Sequence, residues 1–183
     1  VLSAQADHQA RFETESNRAR IPDMKGEILM RENGDVRINA DKPMSLSVLL
    51  KKGEKKATIL VHFMKVMSDA DGKKYVNQVP ACVGKAIESC LVQSGFKKLK
   101  TEKSATGTET LYEKSNATGK AKLWVPEASN LPFPSKMVFE SKDGLLVTTR
   151  FTAAKEAQLD AKLFTVPAGY SKTSVLDSIL KSQ

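Results

Sequence analysis

The residues best suited to chemistry in this chain are two histidines, two cysteines and one acidic turn. His8 and His62 are the only histidines, and the chain holds no Gly-x-Ser-x-Gly segment and no phosphate-binding glycine loop. His62 lies in the apolar run 60–64, which favours a strand histidine satisfied by a neighbour over a histidine that contacts a ligand. We therefore predict no catalytic residue, no cofactor and a protein that is not an enzyme.

The acidic turn Asp69-Ala70-Asp71-Gly72 is similar to the opening of a calcium-binding loop. Such a loop needs a glutamate at its twelfth position, and here Tyr75 occupies the seventh and no glutamate stands at the twelfth. The cysteines do not form a Cys-x-x-Cys pair, and two histidines add little to them as metal ligands. A plain turn and no metal site are expected.

Cys82 and Cys90 are the whole set of thiols, and an even number at short spacing suits a disulfide in an oxidising compartment. A continuous helix would hold the two Cα atoms about 12 Å apart, beyond the roughly 7 Å that a disulfide allows. We predict a Cys82–Cys90 disulfide in which Cys82 lies in the loop before a helix, as Pro80 and Gly84 permit.

The 183 residues fit one domain, 1–183, with a substantial core. The hydrophobic content is 40%, and no apolar run approaches the roughly 20 residues of a transmembrane helix. The chain begins at Val1 rather than at Met, so we expect that a signal peptide was removed and that the protein is periplasmic or otherwise exported.

The net charge of +8 comes largely from two lysine-rich segments, 51–56 and 97–103. Solvated turns or strand edges explain them most simply, since lysine discourages edge-to-edge pairing. An anionic membrane surface or an acidic envelope protein is the alternative partner. Nucleic acid is not expected as a partner, because the few aromatic residues do not alternate with the basic ones.

Alternating apolar and polar residues predict strands along most of the chain, with turns at Asn33-Gly34, Lys52-Gly53-Glu54 and Asp143-Gly144. The predicted strands cover 11–19, 24–31, 36–38, 44–50, 57–67, 97–103, 108–114, 120–125, 135–141 and 145–153, and the segment 159–170 ends the series. Apolar stripes predict helices over 85–93 and 174–181, and residues 1–9 are expected to be flexible. About nine to eleven antiparallel strands and at most three short helices follow.

Three segments resemble the LolA-like superfamily, the periplasmic outer-membrane lipoprotein carriers, in an uncharacterised branch. They are Lys73-Lys74-Tyr75 to Pro80; Lys122 to Pro126 with Leu131-Pro132 and Lys136 to Glu140; and Leu159-Asp160 to Leu163-Phe164 with Pro167 and Gly169. The resemblance covers roughly residues 10–170 and is best over 120–170. It implies a mainly β (α+β) fold: one strongly curved antiparallel sheet, an open half-barrel, with a few short helices on its concave side.

The resemblance also implies a non-catalytic protein of the cell envelope that holds a lipid, a lipoprotein acyl chain or another hydrophobic ligand on the concave face. The alternative is an envelope protein–protein interaction module with a solidly packed core and no ligand. Strand parity predicts the inner-face residues, which would line a cavity or form a dry core. They are Ile28, Met30, Leu46, Val48, Ile59, Val61, Phe63, Leu123, Met137, Phe139, Val147 and Phe151.

Overall fold

The computed structural model describes residues 6–71, 87–105, 107–127 and 129–173. These ranges are mostly β-strand, with the α-helix α1 (Ile87–Gln93) and the 3₁₀ helix Ala161–Phe164. The strands are β1 (Asp7–Ser16), β2 (Met24–Met30), β3 (Val36–Lys42), β4 (Leu46–Leu50), β5 (Lys56–Val61), β6 (Val66–Asp71), β7 (Lys97–Ser104), β8 (Gly107–Ser115), β9 (Gly119–Pro126), β10 (Lys136–Ser141), β11 (Leu146–Ala157) and β12 (Ser171–Lys172).

All twelve strands belong to one open sheet in the order β12-β6-β5-β4-β3-β2-β1-β11-β10-β9-β8-β7. The first strand lies in the middle, paired with β2 on one side and with β11 on the other. The predicted fold class, a mainly β protein with one curved sheet and few short helices, is confirmed. One pair differs from the prediction: the two-residue β12 runs parallel to β6 and adds a twelfth strand at that edge.

Glycines make several of the turns as predicted, because they adopt positive φ without steric cost. Gly34 (φ 95°) closes the β2–β3 connection and Gly144 (φ 81°) the β10–β11 connection. A different constraint acts at Gly26, where a Cβ atom would lie 1.8 Å from the backbone oxygen of Asn39. This close approach accompanies a register shift between β2 and β3, and it leaves no room for a side chain.

The helix α1 ends at Gln93, near Gly95 as the sequence predicts, and Gly95 (φ 85°) forms its C-terminal cap. The Phe96 N–H donates to Leu91 O over 2.9 Å and the Gly95 N–H donates to Val92 O over 3.0 Å, the pattern of a Schellman motif. Phe96 and Leu91 share one apolar cluster, which is the contact that usually accompanies this motif. The predicted helix 85–93 is thus confirmed over Ile87–Gln93, and residues 85 and 86 lie outside the described residues.

The predicted long strand 57–67 is wrong, because it is the hairpin β5–β6 with a turn at residues 62–65. No glycine, proline or asparagine marks this turn, and its residues His62, Phe63 and Met64 continue the apolar run. The chain reverses through Lys65, whose φ of 49° lies in the left-handed region. Without a turn residue to read, alternation alone predicted one continuous strand.

Both ends of the described chain also differ from expectation. β1 begins at Asp7, so residues 7–9 are strand rather than part of a flexible N-terminus. β11 ends at Ala157, and the segment 159–170 holds a 3₁₀ helix capped by Asp160, whose side chain accepts the Lys162 N–H. The predicted helix 174–181 lies outside the described residues.

The sheet has two faces, which we name after one central residue of each. The Ile28 face carries Ile28 together with its register partners Ile38, Val48 and Ile59. The Ser47 face carries Ser47 and, in the same row, Asn39 and Glu27. Side chains alternate between the two faces along each strand, so the register of the paired strands assigns the other strand residues to one face or the other.

Candidate functional site

The structure brings eleven of the twelve predicted inner-face residues onto the Ile28 face. In the C-terminal strands, Leu123 pairs with Met137, and Phe139 pairs with Val147. Across the N-terminal strands, Leu46 pairs with Val61 and Val48 with Ile59. Phe151 pairs with Phe12, which joins the two groups through β1. Strand parity therefore predicted which residues share a face across most of the sheet.

Phe63 is the residue that the structure does not bring to this face. It lies in the β5–β6 turn and 69% of its surface is exposed, whereas the prediction placed it on the inner side of a continuous strand. Once the chain turns after Val61, the parity that placed Ile59 and Val61 inward no longer applies to the residues that follow. Phe63 therefore lies in the turn at the end of the sheet rather than on the Ile28 face.

The Ile28 face is covered rather than open. Seven of the predicted residues have exposed fractions between 0% and 9%. They are Ile28, Met30, Val48, Ile59, Val61, Leu123 and Phe151. Side chains this inaccessible line no ligand-sized void in this conformation, so a guest molecule would have to displace part of the present cover.

Two described elements supply cover. Ile87 and Leu91 of α1 pack with Tyr112, Leu123 and Val125. Nearer the middle of the sheet, Phe133 in the loop before β10 stacks on Phe151, with 6.2 Å between ring centroids, and joins the cluster around Ile28. Met137 is partly buried and touches both clusters, so the apolar surface is continuous beneath the two elements.

The helix α1 is seven residues long and makes polar contacts with β7 and β8 through Glu88. The Tyr112 hydroxyl donates to Glu88 Oε1 over 2.7 Å, and burial together with that carboxylate raises the pKa of Tyr112 well above its ordinary value. Lys98 Nζ lies 3.8 Å from the same carboxylate oxygen. Because an isolated helix of seven residues is unstable in water, α1 keeps its form through packing on the sheet.

The Ser47 face is covered over the N-terminal strands by residues 159–170, which we name the closing segment. Phe164, only 1% exposed, lies 5.8 Å from the Arg31 guanidinium, and the 3₁₀ helix contacts β3. Arg37 donates through its NH1 group to Leu163 O over 2.5 Å. The segment that the LolA-like resemblance singled out thus covers part of the Ser47 face over the N-terminal strands.

A buried polar network fixes the far end of the closing segment. The Ser47 hydroxyl donates to Asn39 Oδ1 (2.6 Å) and accepts from Arg37 (3.0 Å). His62 Nε2 lies 2.7 Å from Ser47 Oγ, and His62 Nδ1 lies 2.5 Å from the Tyr170 hydroxyl. Since the serine proton goes to Asn39, Nε2 carries a proton and Nδ1 accepts from Tyr170.

This network confirms that His62 is satisfied by its neighbours, but His62 lies in the β5–β6 turn rather than in a strand as predicted. Ser47 and His62 are the right distance apart for a nucleophile and its base, but Ser47 is 0% exposed and no substrate reaches its oxygen. Burial, and secondly the nearby Arg37 guanidinium, lower the pKa of His62. The arrangement is one of structural support: it holds Tyr170 and hence the closing segment.

Sequence reasoning missed the network around His62, whose other members are Arg37, Asn39, Ser47 and Tyr170. A signal for three of them was present, because these polar residues alternate with Ile38, Val48 and Leu46 in neighbouring strands. Their alternation with apolar residues indicates that they face away from the core. A face turned away from the core is normally expected to be exposed to solvent. The position of residues 159–170 helps to bury this polar row, in which Ser47 is fully buried and Arg37 and Asn39 are partly buried.

An open depression of about 770 Å³ lies at the opposite end of the sheet from the β5–β6 turn. Its lining is largely polar, with Asp7, Glu32, Glu156 and Asp160 around Arg31. Asp7 is already engaged, since its carboxylate accepts the N–H groups of Glu32 and Leu159. Four carboxylates make this depression unsuited to an acyl chain.

The predicted turn at residues 69–72 is wrong over Asp69–Asp71, which belong to β6, and Gly72 lies outside the described residues. Cys90, partly buried on α1, is not a free cysteine, while Cys82 lies outside the described residues, so the Cys82–Cys90 disulfide stays a prediction. Within the described ranges, no group of three His, Cys, Asp or Glu side chains is placed to hold a metal ion. No helix among the described residues has the length and apolarity to cross a membrane.

The whole chain has structural relatives. It is similar to an uncharacterized conserved protein from Thermus thermophilus, with a TM-score of 0.66 and 13% identity over 93% of this chain and 91% of that one. It is also similar to a LolA superfamily protein from Nitrosomonas europaea (TM-score 0.46, 11% identity, 89% and 91% covered). A putative outer membrane lipoprotein-sorting protein domain from Vibrio parahaemolyticus is comparable (TM-score 0.47, 13% identity, 87% and 89% covered).

Of these three neighbours, the two whose names refer to the LolA superfamily and to lipoprotein sorting have TM-scores below 0.5, and at 13% identity the likeness to the Thermus thermophilus protein concerns the fold alone. No family model matches the sequence. Comparison with curated proteins gives no match either. What the molecule does has to be argued from its own residues.

Proposed function

We propose that this is a non-catalytic, exported protein of the cell envelope that binds a lipid or an acyl chain on its Ile28 face. The observation that carries the proposal is the continuous apolar surface running from β5 to β9, over which the described residues place α1 and the loop around Phe133. Met30 and Met137 belong to this surface, and methionine adapts well to apolar guests of different shapes.

Binding requires that the ligand replace a cover. The helix α1 is the better candidate for displacement, because it buries only Ile87 and Leu91 and depends on the sheet for its helical form. A protein whose binding-competent state is rarely populated binds with reduced apparent affinity. Weakening α1 should therefore tighten ligand binding, whereas blocking the face beneath should abolish it.

This opposition defines the experiment: titration with a fluorescent fatty acid whose emission rises in apolar surroundings. Leu91→Ala, which loosens α1, should bind the probe at least about fivefold more tightly than the unaltered protein. Val61→Glu, which places a charge on the buried face, should bind none while the far-ultraviolet spectrum stays strand-like. Val138→Glu on the opposite face is the matched control and should leave uptake unchanged.

One result of this titration would show that the proposal is wrong. If neither the unaltered protein nor Leu91→Ala takes up the probe, the Ile28 face is a permanent core and the proposal is wrong.

A second function is favoured by one observation, the low exposure of the Ile28 face itself. A solidly packed sheet would serve as a protein–protein interaction module in the envelope, with no ligand. Native mass spectrometry of the protein purified from its own envelope fraction separates the two functions. A co-purifying lipid supports ligand binding, and a mass equal to that of the bare chain supports the interaction module.

A further inference from the structure

The end of the sheet formed by the β3–β4 and β5–β6 turns carries an exposed apolar surface. We name Met44, Phe63 and Met64 the apolar tip; their exposed fractions are 44%, 69% and 55%. The two turns are neighbours, because the His62 N–H donates to Ser45 O over 3.2 Å. Turn residues are usually small or polar, so three large apolar side chains at this position call for an explanation.

Exposed apolar residues scattered singly are ordinary, but a concentration of them indicates a contact surface. Ten large hydrophobic side chains are exposed among the described residues, and six lie at the end of the sheet where β1–β2, β3–β4 and β5–β6 connect. The six are Ile21, Met24, Met44, Phe63, Met64 and Leu146. Such a one-sided distribution is not what single exposed residues produce.

Hydrogen bonds hold in place the turn that carries Phe63 and Met64. Lys65 O accepts the Ser171 N–H over 3.0 Å, and His62 is fixed between Ser47 and Tyr170. These bonds tie the turn to the closing segment and to the centre of the sheet. Phe63 and Met64 are therefore presented outward on a supported turn, where side-chain contact costs little further ordering of the backbone.

Charge indicates the partner. Exposed Lys42 and Lys65 flank the apolar tip, and the whole chain carries +8. Asp41 beside Lys42 is also exposed. Exposed apolar side chains flanked by lysines suit a bilayer surface, since the former can enter the acyl boundary while the ammonium groups remain at the level of the phosphates. We propose that the apolar tip binds the surface of an anionic lipid bilayer.

This surface is separate from the Ile28 face, so each proposal can fail alone. The test is flotation of the protein with vesicles of phosphatidylcholine containing roughly one part in three of phosphatidylglycerol. Replacing both Phe63 and Met64 by serine should lower the vesicle partition coefficient at least tenfold, by the usual transfer free energies of such side chains. Leu99→Ser, which removes an exposed apolar residue of β7 at the opposite edge of the sheet, should leave it unchanged.

The electrostatic part is measured separately. Lys42→Gln and Lys65→Gln should each lower partitioning about fivefold, and the loss should vanish with pure phosphatidylcholine vesicles or in high salt. Equal partitioning of the F63S/M64S variant and the unaltered protein would overturn the proposal. So would a dimer that the same substitutions dissociate without any vesicle binding, because the apolar tip would then meet a second copy of the chain. Unchanged melting temperature and unchanged fatty-acid uptake show that the variants are folded.

Discussion

The N-terminal and C-terminal halves of the sheet differ in what covers the Ser47 face. β4 and β5 each bury three consecutive residues, Ser47–Leu49 and Ile59–Val61, whereas β9 and β11 bury residues on one side only. Consecutive burial means that both faces are covered, here with the closing segment on the Ser47 face. In the C-terminal half β8 also buries consecutive residues, Glu109–Tyr112, and the described residues that shield Trp124 on this face are side chains of neighbouring strands.

Trp124 shows how the C-terminal half manages this. Its ring lies under Lys136, with Nζ 3.9 Å from the ring centroid, and its Nε1–H donates to Glu102 Oε1 over 2.8 Å. Charged side chains thus shield the tryptophan with their stems while their polar ends remain in water. The comparison teaches that one half depends on a distant chain segment and the other on neighbours within the sheet.

The largest test of this difference removes the main apolar contact of the closing segment. Phe164→Ala should lower the free energy of unfolding by about 3–5 kcal/mol, because the ring is almost wholly buried. Val138→Ala, on the same face of the C-terminal half, should cost about 1 kcal/mol or less. Urea denaturation measures both. Equal losses would show that the two halves do not differ in cover.

The next test uses pH. Burial and the Arg37 guanidinium lower the pKa of His62 in the folded protein, so folding favours the neutral imidazole. The resulting stability is present above the unfolded pKa of about 6.5 and is lost as pH falls through the lower folded value, with a slope of at most about 1.4 kcal/mol per pH unit. His62→Gln should flatten this dependence in urea titrations between pH 5 and 8. A stability that rises toward acid pH in the unaltered protein would contradict it.

A smaller effect is expected at the hydrogen bond that holds α1. Tyr112→Phe removes the donor to Glu88 and should cost about 1 kcal/mol, with hydrogen exchange accelerated mainly in α1. Glu88→Gln keeps an acceptor oxygen and should cost less. If exchange accelerates equally in β4 and β5, then α1 is coupled to the whole core rather than to the C-terminal half.

The smallest effect concerns the lysine over Trp124. Lys136→Ala should cost roughly 0.5 kcal/mol, as partly exposed cation–π pairs do, and should shift the fluorescence maximum of Trp124 to longer wavelength. Lys122→Ala on the same face of β9 is the control and should leave the emission unchanged. Identical emission in both variants would mean that Lys136 contributes nothing to shielding the ring.

Strands and their faces could be predicted from sequence because alternation is a local signal. Ile28, Val48 and Ile59 were assigned to one face from parity alone, and the register confirms it. The β5–β6 turn could not be predicted, since His62-Phe63-Met64 is apolar and the reversal depends on Lys65 adopting a positive φ. At this turn the pairing of β5 with β6 determines the structure, whereas the local apolar pattern predicts a continuous strand.

What each face of the sheet packs against was harder to predict than the strands themselves. Polar residues such as Asn39 and Ser47 alternate with core residues, and a sequence pattern cannot distinguish a face that meets water from one that meets a distant segment. The closing segment has apolar residues at Leu163, Phe164 and Val166, which also suit a strand. Its packing on β3 is a long-range contact and leaves no local signal.

The central position of β1 has a consequence for how the chain is made. Its partner β11 lies some 140 residues later in the sequence, with Phe12 opposite Phe151. At synthesis rates of roughly 5–20 residues per second, one edge of β1 would wait about 7–30 s for that partner. Arg11, Glu13 and Glu15 place charges along the waiting strand, which discourages pairing with other chains until β11 arrives.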